Sequence, residues 1–142
     1  MRSILITVLL SGVVLLIASS CATLPKEPLA SDEVRLLSID VLGSSIEANV
    51  SFPVRIFFEA AGEPEIKRAC FYESGEGPYC FGGSDISYYT YGKKRALQVY
   101  LPGLSAGSNR VECYAEYMRD GETGKTNVIV TNIQAGVTPA GP

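Results

Sequence analysis

Three tyrosines and two lysines form the densest group of side chains suited to ligand binding in this chain. Tyr88, Tyr89 and Tyr91 fall within four positions, and Lys93 and Lys94 follow at once. Tyrosine rings suit stacking on a sugar or anchoring a protein, and the lysines suit anionic groups. These residues are a candidate ligand-binding surface, and sugar binding requires that the three rings not point to opposite faces. The favoured interpretation is an edge strand or a loop of ordinary β-forming residues, whose charges prevent edge-to-edge pairing.

Two cysteines flank a predicted turn. If the turn in Glu73–Gly77 centres on Gly75, Cys70 and Cys80 lie directly opposite each other, because each is five residues away. Closing a loop of about ten residues stabilises a domain by roughly 2 to 3 kcal/mol in the chain-entropy model. We therefore predict a disulfide between Cys70 and Cys80. The alternative is a bond from Cys70 to Cys113 that joins two sheets. With Cys70 bonded to Cys80, Cys113 is interpreted as a small buried apolar residue.

The composition excludes much of ordinary enzymology. The chain has no histidine, so a Ser-His-Asp triad, a Cys-His pair and every His-containing zinc site are excluded. Two near pairs of carboxylates, Glu63 with Glu65 and Glu73 with Glu76, make a small carboxylate-dependent hydrolase a further alternative. Both pairs fall in Gly- and Pro-containing turns, where solvated loop charge is ordinary. We expect a non-enzymatic protein.

No cofactor, metal or nucleic acid is expected. The sequence has no Cys-x-x-Cys spacing, no Asp-x-Asp-x-Asp loop and no Gly-rich phosphate cradle before a helix. The 12 Lys and Arg residues are outnumbered by 15 Asp and Glu residues, which leaves no basic field to attract nucleic acid.

The first twenty residues have the composition of an export signal. Arg2 is followed by the 15-residue run Ile4 to Ala18, interrupted only by Thr7, Ser11 and Gly12. Such a run is short for a transmembrane helix, which takes roughly 20 apolar residues, but it suits the apolar part of a secretory signal.

The end of this segment, Ala18-Ser19-Ser20-Cys21, resembles the lipobox of bacterial lipoproteins, although Ala18 stands where Leu, Val or Ile is usual. The resemblance implies cleavage after Ser20 and lipidation of Cys21, so that acyl chains anchor the protein to a membrane. Because Ala22, and not Asp, follows the cysteine, it also implies the outer membrane, facing the periplasm. The alternative is an ordinary cleaved signal that leaves Cys21 as a disulfide partner.

The mature chain has the pattern of an all-β domain. Residues 1–20 form the predicted signal peptide, 21–33 the lipidated cysteine and a flexible tether, 34–135 the domain and 136–142 a flexible tail. Apolar residues alternate with polar ones at the strand period and turn signals separate the runs. The alternating sets are Leu37/Ile39/Val41, Ile46/Ala48/Val50, Val54/Ile56/Phe58/Ala60, Leu97/Val99/Leu101, Val111/Cys113/Ala115/Tyr117, and either Val128/Val130 or Ile129/Thr131/Ile133. These features predict an antiparallel sandwich of about seven strands.

The second half of the domain resembles bacterial immunoglobulin-like and fibronectin-III-like domains. The residues that carry the resemblance are Leu104, Gly107, Asn109, Val111, Cys113 and Ala115. In those families a Leu-x-x-Gly-x-Asn corner leads into the penultimate strand. The chain departs from them in having no tryptophan and no corner tyrosine. The resemblance implies an immunoglobulin-like sandwich that acts through protein contacts.

Together these features predict a lipid-anchored envelope protein with a non-catalytic interaction or structural domain. The partner is expected to be another envelope protein. The alternative partner is a glycan or peptidoglycan bound through the tyrosine-rich segment.

Overall fold

A computed structural model describes residues 33–92 and 94–136. The described residues form nine strands and one short 3-10 turn, Gly83–Asp85. The strands are β1 Val34–Val41, β2 Phe52–Ala60, β3 Glu65–Glu73, β4 Glu76–Gly82, β5 Ser87–Tyr91, β6 Lys94–Leu101, β7 Gly107–Arg119, β8 Glu122–Lys125 and β9 Ile129–Ala135. This confirms the all-β prediction.

The strands form two antiparallel sheets of a sandwich. The first sheet has the order β1-β2-β6-β5, and the second has the order β4-β3-β7-β8, with β9 also paired to β7. β8 pairs with the last part of β7 and β9 with its first part. The two short strands therefore occupy one sheet edge in succession, which is one reason why the strand number exceeds the predicted seven.

The core lies between the sheets and contains most of the predicted alternating residues. The central strands contribute Val54, Ile56, Phe58, Leu97, Val99, Leu101, Val111, Cys113 and Ala115, all buried. Complete burial of one large apolar side chain stabilises a fold by about 1.5–3 kcal/mol. In β9 the inward residues are Ile129 and Ile133, whereas Val128 and Val130 are exposed, so the second of the two predicted alternatives is correct.

The prediction that Leu37 lies in the core is wrong. A register shift between Leu36 and Ser38 interrupts the pairing of β1 with β2, and such a bulge changes which residues point inward. Leu36 is buried and Leu37 is 41% exposed, while Ile39 packs against the core again.

The predicted strand at Ile46–Val50 is also wrong. This segment lies in the connection between β1 and β2, and its only bridge joins Glu47 to Gly136. Asn49 has a φ of 61°, which turns the chain out of the extended conformation. Its backbone N–H donates to the Leu104 carbonyl at 2.8 Å, so the segment packs as a loop.

Two asparagines fix the ends of the sandwich. Asn109, the only buried polar residue among those described, donates through Nδ2 to the carbonyls of Ser105 and Gly107 at 2.8 and 3.1 Å. These bonds hold the predicted corner closed. Asn127 accepts from the Leu36 N–H at 2.8 Å and donates to the Leu36 carbonyl at 3.1 Å. It thereby links β1 of the first sheet to the β8–β9 connection of the second.

Candidate functional site

The predicted disulfide is present at the β3–β4 hairpin. Cys70 and Cys80 are register partners, and their sulfurs are bonded. The turn residues Ser74 and Gly75 both have positive φ, which is the conformation that tight hairpin turns favour. The predicted pair is correct, but the turn is not centred on Gly75: Glu73 pairs with Glu76, and a register shift between Phe71 and Glu73 brings Cys70 opposite Cys80.

Cys113 is free and buried, and it points into the core. Phe71 is its register partner on β3, whereas Cys70 lies opposite Tyr114. Because adjacent strand residues point to opposite faces, Cys70 and Cys113 lie on different sides of the sheet, which rules out the alternative disulfide. Burial raises the pKa of the Cys113 thiol far above its ordinary value.

The tyrosine-rich segment is the edge strand β5, and its rings divide between two directions. Tyr89 and Tyr91 point to the outer side of the first sheet, where their rings are stacked at 6.4 Å between centroids. Tyr88 turns toward the second sheet and donates its hydroxyl to the Ile66 carbonyl at 2.7 Å. The three rings therefore do not form one sugar platform, because consecutive strand residues alternate in direction.

Tyr88 links the two sheets at this edge through its hydroxyl, although the residue is 55% exposed. Burial raises the pKa of its hydroxyl above the ordinary value of 10.0, and the nearby charge of Glu65 raises it further. Open clefts flank the ring on either side, one beside Lys67 and the other beside Arg95. Its bond to Ile66 indicates that Tyr88 is a structural residue.

Two residues from β2 complete the surface around the outward tyrosines. The Arg55 guanidinium carbon lies 4.8 Å from the Tyr89 ring centroid and 5.2 Å from that of Tyr91, and the Phe57 and Tyr91 centroids are 6.1 Å apart. These distances fit cation–π and aromatic contacts. We call the outer surface formed by Arg55, Phe57, Tyr89 and Tyr91 the aromatic face.

A small residue in the intervening strand accounts for this cluster. Ala96 of β6 is the register partner of both Phe57 and Tyr89, so it lies between them on the outer side. Its short side chain leaves room for its neighbours, and Ala96 is only 1% exposed. Tyr89 and Tyr91 remain 38% and 44% exposed and therefore accessible to a partner.

Of the two lysines predicted to bind a ligand, the structure describes only one. Lys94 begins β6, where its register partner is Tyr91, so it belongs to the same side of the sheet as the aromatic face. Lys93 lies outside the described residues. Cys21, the predicted lipidation site, and the signal peptide and tether around it also lie outside them.

Of the two glutamate pairs predicted to lie in turns, only Glu63 lies in a connection, whereas Glu65, Glu73 and Glu76 are terminal residues of β3 and β4. Glu63 is 92% exposed at its side chain and pairs with Arg95 at 3.1 Å, and Glu65 pairs with Lys67 at 2.6 Å. Glu73 and Glu76 face each other across the β3–β4 turn. In the described ranges, no three Cys, Asp or Glu side chains are grouped to hold a metal ion.

Sequence reasoning missed Arg55 and Phe57. Both occupy the outward positions of the Val54/Ile56/Phe58 alternation, which signals exposure but not what the side chains touch. Their contact with Tyr89 and Tyr91 depends on β6 lying between β2 and β5, and strand order does not follow from local pattern.

Comparison of the chain with known protein families and curated proteins identified no relative. No protein-family model matches the chain, and no similar sequence was found among curated proteins. Across residues 33–92 and 94–136, no helix is long and apolar enough to cross a membrane.

Proposed function

We propose that this protein is a non-catalytic, immunoglobulin-like binding module of the bacterial envelope, anchored through lipid on Cys21. The export signal and lipobox-like sequence at residues 1–21 support the anchor. Ala22 after the cysteine supports placement at the outer membrane, facing the periplasm. In this proposal the domain at residues 34–135 binds another envelope protein.

The strand order supports the immunoglobulin-like assignment. Constant-type immunoglobulin domains carry strands A, B, E and D on one sheet and C, F and G on the other. If β1 to β7 are strands A, B, C, C′, D, E and F, the first sheet has the order A-B-E-D and the second C′-C-F, with β8 and β9 in place of strand G. The buried corner at Asn109 is consistent with this assignment.

The aromatic face is the observation that carries the proposed binding function. Tyrosine and arginine are the side chains most enriched where protein interfaces concentrate their binding energy. Here Tyr89 and Tyr91 contact Arg55 and remain exposed. A protein partner would therefore meet an ordered surface, with little side-chain entropy left to lose on binding.

Site-specific photo-crosslinking in the native host tests this function. A photoreactive phenylalanine at Tyr91 is expected to capture one reproducible envelope protein, and the added change Tyr89→Ser to remove that adduct. The same probe at Tyr114, on the outer side of the second sheet, serves as the matched control. Capture of lipid alone, or equal capture from both positions, would contradict the proposal.

The lipid anchor is tested separately, on protein purified from the native host. Mass spectrometry of the N-terminal peptide is expected to show a diacylglyceryl thioether on Cys21 and no residue before it. A bare thiol at Cys21, or a mature chain that begins elsewhere, would reject the anchor without affecting the crosslinking result.

Glycan or peptidoglycan binding is the second candidate, supported by the exposed rings of Tyr89 and Tyr91. It is less well supported because Tyr88 points elsewhere and because both remaining rings already contact Arg55. Co-sedimentation with purified peptidoglycan that is lost in Tyr89→Ser would favour it over a protein partner.

A further inference from the structure

Arg55 differs in its partners from four of the other five arginines of the domain; the fifth, Arg119, donates to the Ala61 carbonyl. Four arginines form ion pairs with glutamates; these pairs are Arg35 with Glu33, Arg68 with Glu116, Arg95 with Glu63, and Arg110 with Glu112. In the described part of the chain, no carboxylate lies within 4.0 Å of a side-chain nitrogen of Arg55. Its charge is therefore not neutralised by a direct ion pair.

The hydrogen bonds of Arg55 are also incomplete. Its Nη2 donates to Gln98 Oε1 at 3.0 Å, whereas its Nε is buried and has no partner among the described residues. A guanidinium group offers five N–H donors in a planar fork that matches a carboxylate. Because the Nε is buried, a ligand carboxylate would have to bind the Nη groups, of which Nη2 already donates to Gln98.

The neighbouring charges determine which ligand this surface favours. Lys94 adds a second cation on the same side, and within the described residues it has no ion-pair partner. Acidic residues lie on β1 and β2: Asp40 is the register partner of Arg55, and Glu59 lies 3.9 Å from Arg35. On the other side of Arg55, strands β5 and β6 contain no Asp or Glu, so an anionic ligand is favoured over that side.

The ring contacts argue against a sugar as that anion. Sugar stacking needs a free aromatic face, but the Arg55 guanidinium lies over the rings of Tyr89 and Tyr91, which also stack on each other. The same contacts hold the guanidinium in place, so that less side-chain entropy is lost when it binds a carboxylate.

We propose that Arg55, with Lys94, is a carboxylate-binding site that takes an acidic segment of the protein partner. This inference rests on the proposed function and names the chemistry of the partner. In the bound state an Asp or Glu side chain accepts hydrogen bonds from Arg55, and the rings of Tyr89 and Tyr91 pack against the segment on either side.

Binding of short Glu-rich peptides to the full-length protein tests the site, and each peptide has a twin in which every Glu is Gln. We expect the Glu peptides to bind about tenfold more tightly than their twins, with the difference falling as salt is raised. Arg55→Gln and Lys94→Gln should each reduce this difference in affinity between the Glu peptides and the Gln peptides. Arg55→Gln should reduce it to near zero. Arg55→Lys should retain part of it, because the charge remains but the fork is lost.

Arg110→Gln, on the second sheet, is the matched control and should leave binding within about twofold of wild type. Equal binding of Glu and Gln peptides, no binding of either, or equal losses in Arg55→Gln and Arg110→Gln would overturn the proposal. So would Arg55-dependent binding of oligogalacturonate without binding of the Glu peptides, because the ligand would then be an acidic sugar. Thermal unfolding of each variant distinguishes loss of the site from loss of the fold.

The photo-crosslinking experiment distinguishes failure of the acidic-segment proposal from failure of the proposed binding function. If the photo-crosslink at Tyr91 still captures one envelope protein and depends on Tyr89, the binding module stands and only the acidic partner chemistry is wrong.

Discussion

Two arginines on the two outer faces of the sandwich have different kinds of partner. On the second sheet, Arg68 pairs with Glu116, and Lys125 lies 3.8 Å from the same carboxylate and 5.3 Å from the Tyr114 ring. On the first sheet, Arg35 likewise pairs with Glu33, whereas Arg55 contacts two tyrosine rings and the Gln98 amide. The contrast is therefore between Arg68, which is paired with a carboxylate, and Arg55, which lies among exposed rings.

This difference separates structural from binding surfaces. An exposed ion pair contributes little stability, but it neutralises a charge and so makes that charge less available to a partner. The second sheet also carries the disulfide on its outer side, opposite Tyr114 in the register. We therefore expect changes on the second face to affect stability and changes on the aromatic face to affect binding.

The largest expected effect on stability is at the disulfide. The double change Cys70→Ala and Cys80→Ala should lower the free energy of unfolding by about 2 to 3 kcal/mol, because the unfolded chain gains the freedom of an open loop. Urea denaturation monitored by tyrosine fluorescence measures this. Arg55→Gln is the comparison variant, for which we expect a change of less than about 1 kcal/mol. The reverse order of the two effects would break the assignment of the faces.

Tyr88 should behave as a structural residue although it is next to Tyr89 in β5. Tyr88→Phe removes the hydrogen bond to Ile66 and should cost about 0.5 to 1 kcal/mol, at the low end because the ring is partly exposed. The crosslink from Tyr91 should be unchanged. A loss of the crosslink with unchanged stability would show instead that Tyr88 belongs to the binding surface.

The same residue predicts a dependence on alkaline pH. The folded-state pKa of Tyr88 is raised, so the folded protein retains a proton that the unfolded chain loses near pH 10.0. The contribution to stability is complete below that pH and is lost as the pH rises through the folded pKa. The difference in absorbance titration between wild type and Tyr88→Phe should give one step above the ordinary tyrosine range. A step at or below that range would contradict it.

The smallest expected effect is at Cys113, on the inward side of the second sheet. Because the thiol is buried and its pKa is raised, iodoacetamide should leave it unmodified in the folded protein at neutral pH. In urea, without reductant, the peptide that contains Cys113 should become fully alkylated. Peptide mass spectrometry reads both states, and rapid modification of the folded protein would place Cys113 nearer the surface than the structure does.

Local pattern was sufficient for the elements whose geometry is set by neighbouring residues. The alternation in β2, β6 and β7 identified their core residues correctly, because strand side chains alternate between faces. The spacing around Gly75 identified the disulfide pair, although the structure reaches that register through a shift between Phe71 and Glu73. Pattern failed at Leu37 and at Asn49, where a bulge and a left-handed residue change the direction of the chain.

The candidate site was predicted only in part. The tyrosine-rich segment was singled out by its composition, but the sequence did not reveal that Tyr88 bonds to the second sheet or that Arg55 lies over Tyr89 and Tyr91. Both facts depend on contacts between strands that are distant in the chain.

The sequence alone determined that this protein is an all-β domain, which residues form most of its core, and which two cysteines pair. These properties follow from side-chain alternation and turn geometry, which act over a few residues. Only the tertiary structure decided which residues share the aromatic face, because the order β2-β6-β5 and the small size of Ala96 bring Arg55 to the tyrosines. That order is set by how the two sheets bury their apolar sides together, a property of the whole chain.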